Sequence, residues 1–250
     1  MKKYVVTTAL VAGFSMIAGA AHAQVVGTVG ANYSRSDTDF GDADSYGVSG
    51  GITIPTGGSL AVLLDGSWQT NDDADVDVLS GSAHLISRNS DHAFGGFLGL
   101  ANVDAGGADG DAWGGGGEFA KFFANGTLVG TVAYATADDT DVDVWGLSGE
   151  YRIFANDNLR FDLGAGWANI DAGGGGDADG FNLGAGVEYR FANSPFSIGG
   201  NVGYVDTDGG GDATVFGITG RIDFGNDSLK SRDRTGNTFG GFGALSNFIQ

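Results

Sequence analysis

Six acidic, glycine-rich segments recur near residues 40, 73, 107, 140, 174 and 209, about 34 residues apart, and a short turn of different chemistry falls between each successive pair. Those turns are Thr56-Gly57-Gly58, Asn89-Ser90-Asp91, Ala124-Asn125-Gly126, Ala155-Asn156-Asp157 and Ala192-Asn193-Ser194-Pro195. A chain that runs up to an acidic segment and down to a tight turn six times over has two unlike ends. That is the pattern of an up-and-down transmembrane β-barrel, and it predicts about twelve antiparallel strands.

The segments between these punctuation points alternate with a period of two, so one face of each is apolar and the other small or polar. Strand 1 sets Val25, Val29, Ala31 and Tyr33 against Thr28, Gly30, Asn32 and Ser34. Strand 9 sets Leu159, Phe161, Leu163 and Trp167 against Arg160, Asp162 and Gly166. Apolar faces of about nine to eleven residues match a tilted strand crossing a bilayer. Only the segment Ala93 to Val103 is apolar on both parities, and its orientation stays open at this level.

The aromatic residues sort by distance from the acidic segments. Trp68, Trp113, Trp145 and Trp167, with Tyr33, Tyr46, Tyr134 and Tyr204, lie near them on the apolar parity. At the opposite end the rings are mainly Phe123, Phe161, Phe191, Phe196 and Phe224. Two interfacial girdles follow. A soluble sandwich would place its aromatics in a core, with no such sorting.

Residues 1–23 predict how the chain reaches that membrane. Lys2 and Lys3 precede an apolar run from Val5 to Ala18, and Ala21-His22-Ala23 fits a signal-peptidase site, with cleavage before Gln24. Composition agrees with one barrel from 24 to 224. The 48 glycines follow no collagen period, the two prolines (Pro55 and Pro195) sit at turn edges, and cysteine is absent.

Together these features resemble the Gram-negative outer-membrane β-barrel proteins, the porin-like ones in particular. The resemblance is architectural and covers 24 to 224; it implies an outer-membrane location, outer-membrane lipid and lipopolysaccharide as surroundings, and the barrel-assembly machinery as a partner. One departure is that such proteins usually end on an aromatic residue closing the last strand, whereas Phe224 is followed by 26 further residues. That tail carries Lys230, Arg232 and Arg234. As a terminus it is expected to lie free on the periplasmic side, with a lumenal plug or an extra strand as alternatives.

Parity also places the charges. Near the acidic end the inward set is small, with Gly47, Ser49, Gly114, Gly116, Gly146, Gly166, Gly184, Gly203 and Gly217, so nothing there should close the mouth. Toward the turn end Glu150, Arg152, Arg160, Asp162, Glu188, Arg190, Arg221 and Asp223 face inward on strands 8, 9, 10 and 12, and Asp65 and Glu118 join them. Opposed charges across a lumen make a constriction for ions and polar solutes. The same charges could instead close the barrel as a salt-bridged interior.

Twenty-one aspartates of the 31 acidic residues crowd the other end. They include Asp37, Asp39, Asp42, Asp44, Asp72, Asp73, Asp138, Asp139 and Asp141, and such a rim concentrates cations. Weak divalent cations are the partner these runs allow, but they lack the closing glutamate of a calcium loop, and no metal site or cofactor is expected. A net charge of −19 opposes nucleic-acid binding. Only His84 and His92 are available as bases in the mature chain, His84 beside Ser82 on the inward face, and neither completes a Ser-His-acid set, so catalysis is not expected. The expected function is passive diffusion of small hydrophilic solutes with cation preference; the alternative is a non-conducting structural or adhesive surface barrel.

Overall fold

A computed structural model describes residues 25–242 apart from 40, 72, 74, 138–141 and 237. The expected signal segment and the rim residues Asp72, Asp138, Asp139 and Asp141 lie outside the described residues. Twelve strands alternate in direction: β1 (Val26–Thr38), β2 (Gly41–Gly57), β3 (Leu60–Asn71), β4 (Val76–Arg88), β5 (His92–Ala105), β6 (Ala108–Phe123), β7 (Gly126–Ala137), β8 (Val142–Asn156), β9 (Leu159–Asp171), β10 (Asp177–Arg190), β11 (Phe196–Thr207) and β12 (Gly211–Phe224). Each pairs with its neighbour in sequence, and β1 pairs with β12 from Gly27↔Phe224 to Thr38↔Ala213, which closes the barrel. Closure leaves no strand edge, the condition for a sheet in hydrocarbon.

Among the described residues the ladder shifts register only beside two turns, at Pro55/Gly57 and at Phe154/Asn156. Pro55 lacks the amide hydrogen the ladder would use, and its place at a strand end confines that loss to the turn. At the other end the acidic segments are shorter loops than the sequence suggests. Strands of up to 17 residues run well past the length that crosses a bilayer, so Asp37, Asp42, Asp44, Asp109, Asp143, Asp179 and Asp212 belong to strands. Between β5 and β6 only Gly106 and Gly107 remain, both at positive φ (56° and 95°), as a tight hairpin in a right-twisted sheet requires. Aspartate at alternate positions keeps the period of two, and the strands therefore continue through it.

The outer wall is as parity predicts. Trp68, Trp113, Trp145 and Trp167 are exposed near the acidic end, while Phe123, Phe161, Phe191, Phe196 and Phe224 are exposed at the turn end. On β5 the outward residues are Phe94, Leu98 and Leu100, all exposed, and Ala93 and Phe97 point into the lumen and are buried. Both parities of this strand are apolar because its inner face has an apolar partner.

That partner is the chain after β12. The backbone reverses at Gly225 (φ 77°) and forms one short helix, α1 (Leu229–Thr235), after which Phe239 and Phe242 are buried against the barrel wall. The expected free terminus is thus corrected for the described residues. A tail carrying three basic side chains, Phe239 and Phe242 meets an acidic, partly apolar lumen, and burial there outweighs the freedom of an end.

Candidate functional site

The inward residues divide the lumen into two sides. Along β3 to β7 those toward the turn end and mid-barrel are largely buried: Leu63, Ser80, Ser82, His84, Ile86, Phe97, Glu118, Ala120, Phe122, Thr127, Val129, Ala133 and Ala135. Phe239 packs with Leu63, Ile86, Ala93, Ala120, Phe122 and Val129, and Phe242 with Phe97, Ala133, Ala135, Val144 and Ala168. Gly99 makes room for this second layer, since a Cβ there would stand 2.8 Å from Phe242 Cβ. From β8 round to β2 the inward side chains away from the tail remain partly or fully accessible, including Asn32, Ser49, Ser148, Asn182, Asn201 and Thr219, while Val144, Phe154, Ala168, Glu188, Arg190, Ser197 and Asp223 are buried. Phe97, on the strand that is apolar on both parities, packs in one buried cluster with Phe242 of the tail.

At the turn end the ten inward charges of the sequence reading fall into three groups. Glu188 is the hub of the first. It accepts from Arg232 of α1 at 2.5 Å, from Arg221 at 3.1 Å and from Ser197 at 2.6 Å, with Arg160 at 3.4 Å. Asp223 is shared between Arg190 at 3.2 Å and Arg232 at 3.1 Å. Burial opposes charge on the Arg232 guanidinium, but Glu188 and Asp223 together hold its pKa above the ordinary arginine value.

Arg152 centres the second group. It donates to Glu150 at 2.8 Å, to Asp233 of α1 at 2.6 Å and to the Thr238 carbonyl at 2.8 Å, and Thr127 also donates to Asp233, at 2.6 Å. The third group is His84, whose Nε2 meets Asp65 at 2.6 Å and whose Nδ1 meets Glu118 at 2.8 Å. Each ring nitrogen of His84 thus has a carboxyl oxygen as its hydrogen-bond partner. Ser82 donates to Asp65 at 3.1 Å and accepts from the Phe242 amide at 3.1 Å, and the Gly241 amide donates to Glu118 at 3.2 Å. With its hydroxyl donated to Asp65 and its oxygen accepting from the tail amide, Ser82 has the geometry of a clasp on the tail.

Exposure separates the ten. Glu118, Glu188, Arg190 and Asp223 are buried beneath the C-terminal segment. Glu150 and Arg221 are about a third exposed, and Asp65, Asp162, Arg152 and Arg160 less so. Arg160 also pairs with Asp162 at 2.8 Å. The charges that meet lumenal water most fully therefore belong to β8, β9 and β12, next to the Asn and Ser side chains of the accessible side.

Parity could not supply the remaining parts: Arg88, which donates to the carbonyls of Arg234 and Gly236, and Arg232, Asp233, Phe239 and Phe242 of the tail. The signal for them was the basic tail itself, opposite in sign to the rest of the chain. Of the acidic rim, Asp44 accepts from Tyr33 at 2.9 Å and Asp42 pairs with Arg35. Asp73 accepts from the Asp44 amide at 2.9 Å, while Asp37 and Asp39 are exposed at the tip of the first hairpin.

Solved structures with the same architecture are outer-membrane proteins of low sequence identity. An outer membrane channel from Pseudomonas putida F1 is 11% identical with a TM-score of 0.57, covering 81% of this chain and 95% of the other. The KdgM porin is 9% identical with a TM-score of 0.53, covering 78% and 99%. A loop-deletion form of OmpT, an outer membrane protein of Vibrio cholerae, is 14% identical with a TM-score of 0.52, covering 80% and 98%. No curated protein sequence matches the chain. The Gram-negative porin model matches residues 84–227, more than half of the sequence and the part that carries eight of the ten lumenal charges on β8 to β12 together with Glu118. On that match, and with a closed twelve-stranded barrel to support it, the chain belongs to the Gram-negative porin family and resides in the outer membrane.

Proposed function

We propose that this porin conducts small hydrophilic solutes passively along the β8–β2 side of its lumen, and that it favours cations. The observation that carries the reading is the division of the lumen: one side is filled by phenylalanines, and the other presents accessible Asn32, Asn182, Asn201, Ser49 and Thr219 leading to Glu150, Asp162, Arg160 and Arg221. Hydroxyl, amide and charged groups on a wall replace part of a solute's hydration without binding it tightly, which passage requires. The aspartates at the other end add a negative entrance potential. They lie outside the cell in this reading, and the tight turns face the periplasm.

Outer-membrane lipid and lipopolysaccharide surround the wall, the barrel-assembly machinery inserts it, and divalent cations associate weakly with the rim. No catalytic role is assigned, because both nitrogens of His84 are engaged by carboxylates and Ser82 holds the tail. Planar-bilayer recording of the refolded protein tests the reading. Stepwise conductance is expected, with a reversal potential in a salt gradient on the cation-selective side. A refolded barrel without conductance would support the structural surface barrel instead.

A further inference from the structure

The C-terminal segment, 226–242 and described apart from residue 237, is held by two kinds of contact. One is apolar, through Phe239 and Phe242. The other is ionic, through Arg232 and Asp233. The ionic contacts have a property that a fixed structural strut would not need: Glu188, Asp223, Arg152 and Glu118 each also have a partner on the wall, whereas the side chain of Arg88, which donates to the carbonyls of Arg234 and Gly236, bonds among the described residues only to the segment. Glu188 keeps Arg221, Arg160 and Ser197 if Arg232 leaves. Asp223 keeps Arg190. Arg152 keeps Glu150, with two contacts of 3.0 and 2.8 Å. Glu118 keeps His84, and Ser82 keeps Asp65.

Withdrawal of the segment would therefore leave Arg88 alone among these wall charges without its partner, and since the same movement opens that side to lumenal water, the large penalty for an unpaired buried ion falls on one side chain at most. The segment's own Arg232 and Asp233 would pass into water. Gly225, where the chain reverses into the lumen, is a natural pivot, and α1 has only seven residues to displace.

From this redundancy we infer that the C-terminal segment is a detachable gate, latched by Arg232 on Glu188 and Asp223 and by Asp233 on Arg152, whose release widens the lumen on the β3–β7 side. The inference rests on the channel reading above. Release would uncover Glu118, Glu188 and Asp223 together with Arg88, Arg152 and Arg190, and would withdraw Asp227 and Asp233 along with Lys230, Arg232 and Arg234. The open state is therefore wider than the closed one.

The full chain has no cysteine, so a reversible lock can be built into it. A Cβ placed on Gly99 lies 2.8 Å from Phe242 Cβ, and a disulfide needs about 3.8 Å, so a shift of the tail of about 1 Å accommodates the double variant Gly99→Cys/Phe242→Cys. In a planar bilayer the oxidised protein is expected to stay in a single low-conductance state. Reduction of the same channels should add transitions to a state of about twofold or greater conductance. Equal, non-zero conductance before and after reduction would overturn the gate and leave the channel intact. Absence of conductance in both states would overturn the channel and the gate with it. Arg232→Gln in the otherwise unchanged chain serves where the disulfide does not form. Its fraction of time in the larger state should rise several-fold, and an unchanged fraction would refute the latch.

Discussion

Glu188 is one side chain that faces three cations at once. It is almost fully buried, yet its carboxylate faces Arg232, Arg221 and Arg160 and accepts from Ser197. Removing one partner of such a cluster leaves like charges facing one another out of bulk water, which costs about 3–5 kcal/mol. Glu188→Gln should therefore lower the urea midpoint of the refolded barrel clearly more than Glu150→Gln, since Glu150 is a third exposed and water can replace it around Arg152. Equal shifts for the two variants would show that the cluster is not what holds the turn end together.

Among the elements, the hairpins carry the topology. The alternation of acidic segments with tight turns forces every second connection to the same end of the barrel, and the strand order follows the sequence without a crossover. A short tag inserted at Gly107 or at Gly174 should be labelled on intact cells, and one inserted at Asn156 should be labelled only after the outer membrane is opened. Labelling of all three alike would contradict this orientation. The Gly106-Gly107 hairpin gives a finer expectation, because its positive φ values suit glycine alone at little cost. Replacement of both by alanine should slow refolding and lower stability by about 1–2 kcal/mol, measured by the fraction of heat-modifiable band on a gel after refolding.

For the whole molecule the governing quantity is a charge distribution with two unlike ends. Of the 31 acidic residues, 21 lie at one end, while most of the basic residues of the mature chain lie in or near the lumen at the other. If the rim sets the entrance potential, changing its aspartates on the first, second and fourth acidic hairpins to asparagine should lower cation-over-anion permeability most at low salt. The Debye length of about 30 Å at 0.01 M spans the mouth, and at 1 M it falls to about 3 Å. Selectivity that does not move at low salt would assign the aspartates to a solvated surface with no part in filtering.

The period of two, the alternating hairpin ends and the sorted aromatics were enough to set the barrel, its twelve strands and the inward position of Glu150, Arg160, Glu188 and Asp223, because in a sheet that faces lipid outward and polar groups inward each residue's face depends only on its parity. The two apolar parities of β5 were visible as an anomaly without a cause. What filled the lumen was not legible, because a tail of 26 residues has no period and no partner until the barrel exists to receive it. Only the closed structure could bring Arg232 to Glu188, Asp233 to Arg152 and Phe242 to Gly99, contacts between residues 44, 81 and 143 positions apart in the chain. Local pattern determined which way each side chain faces; long-range burial and charge pairing decided which of them still meet water.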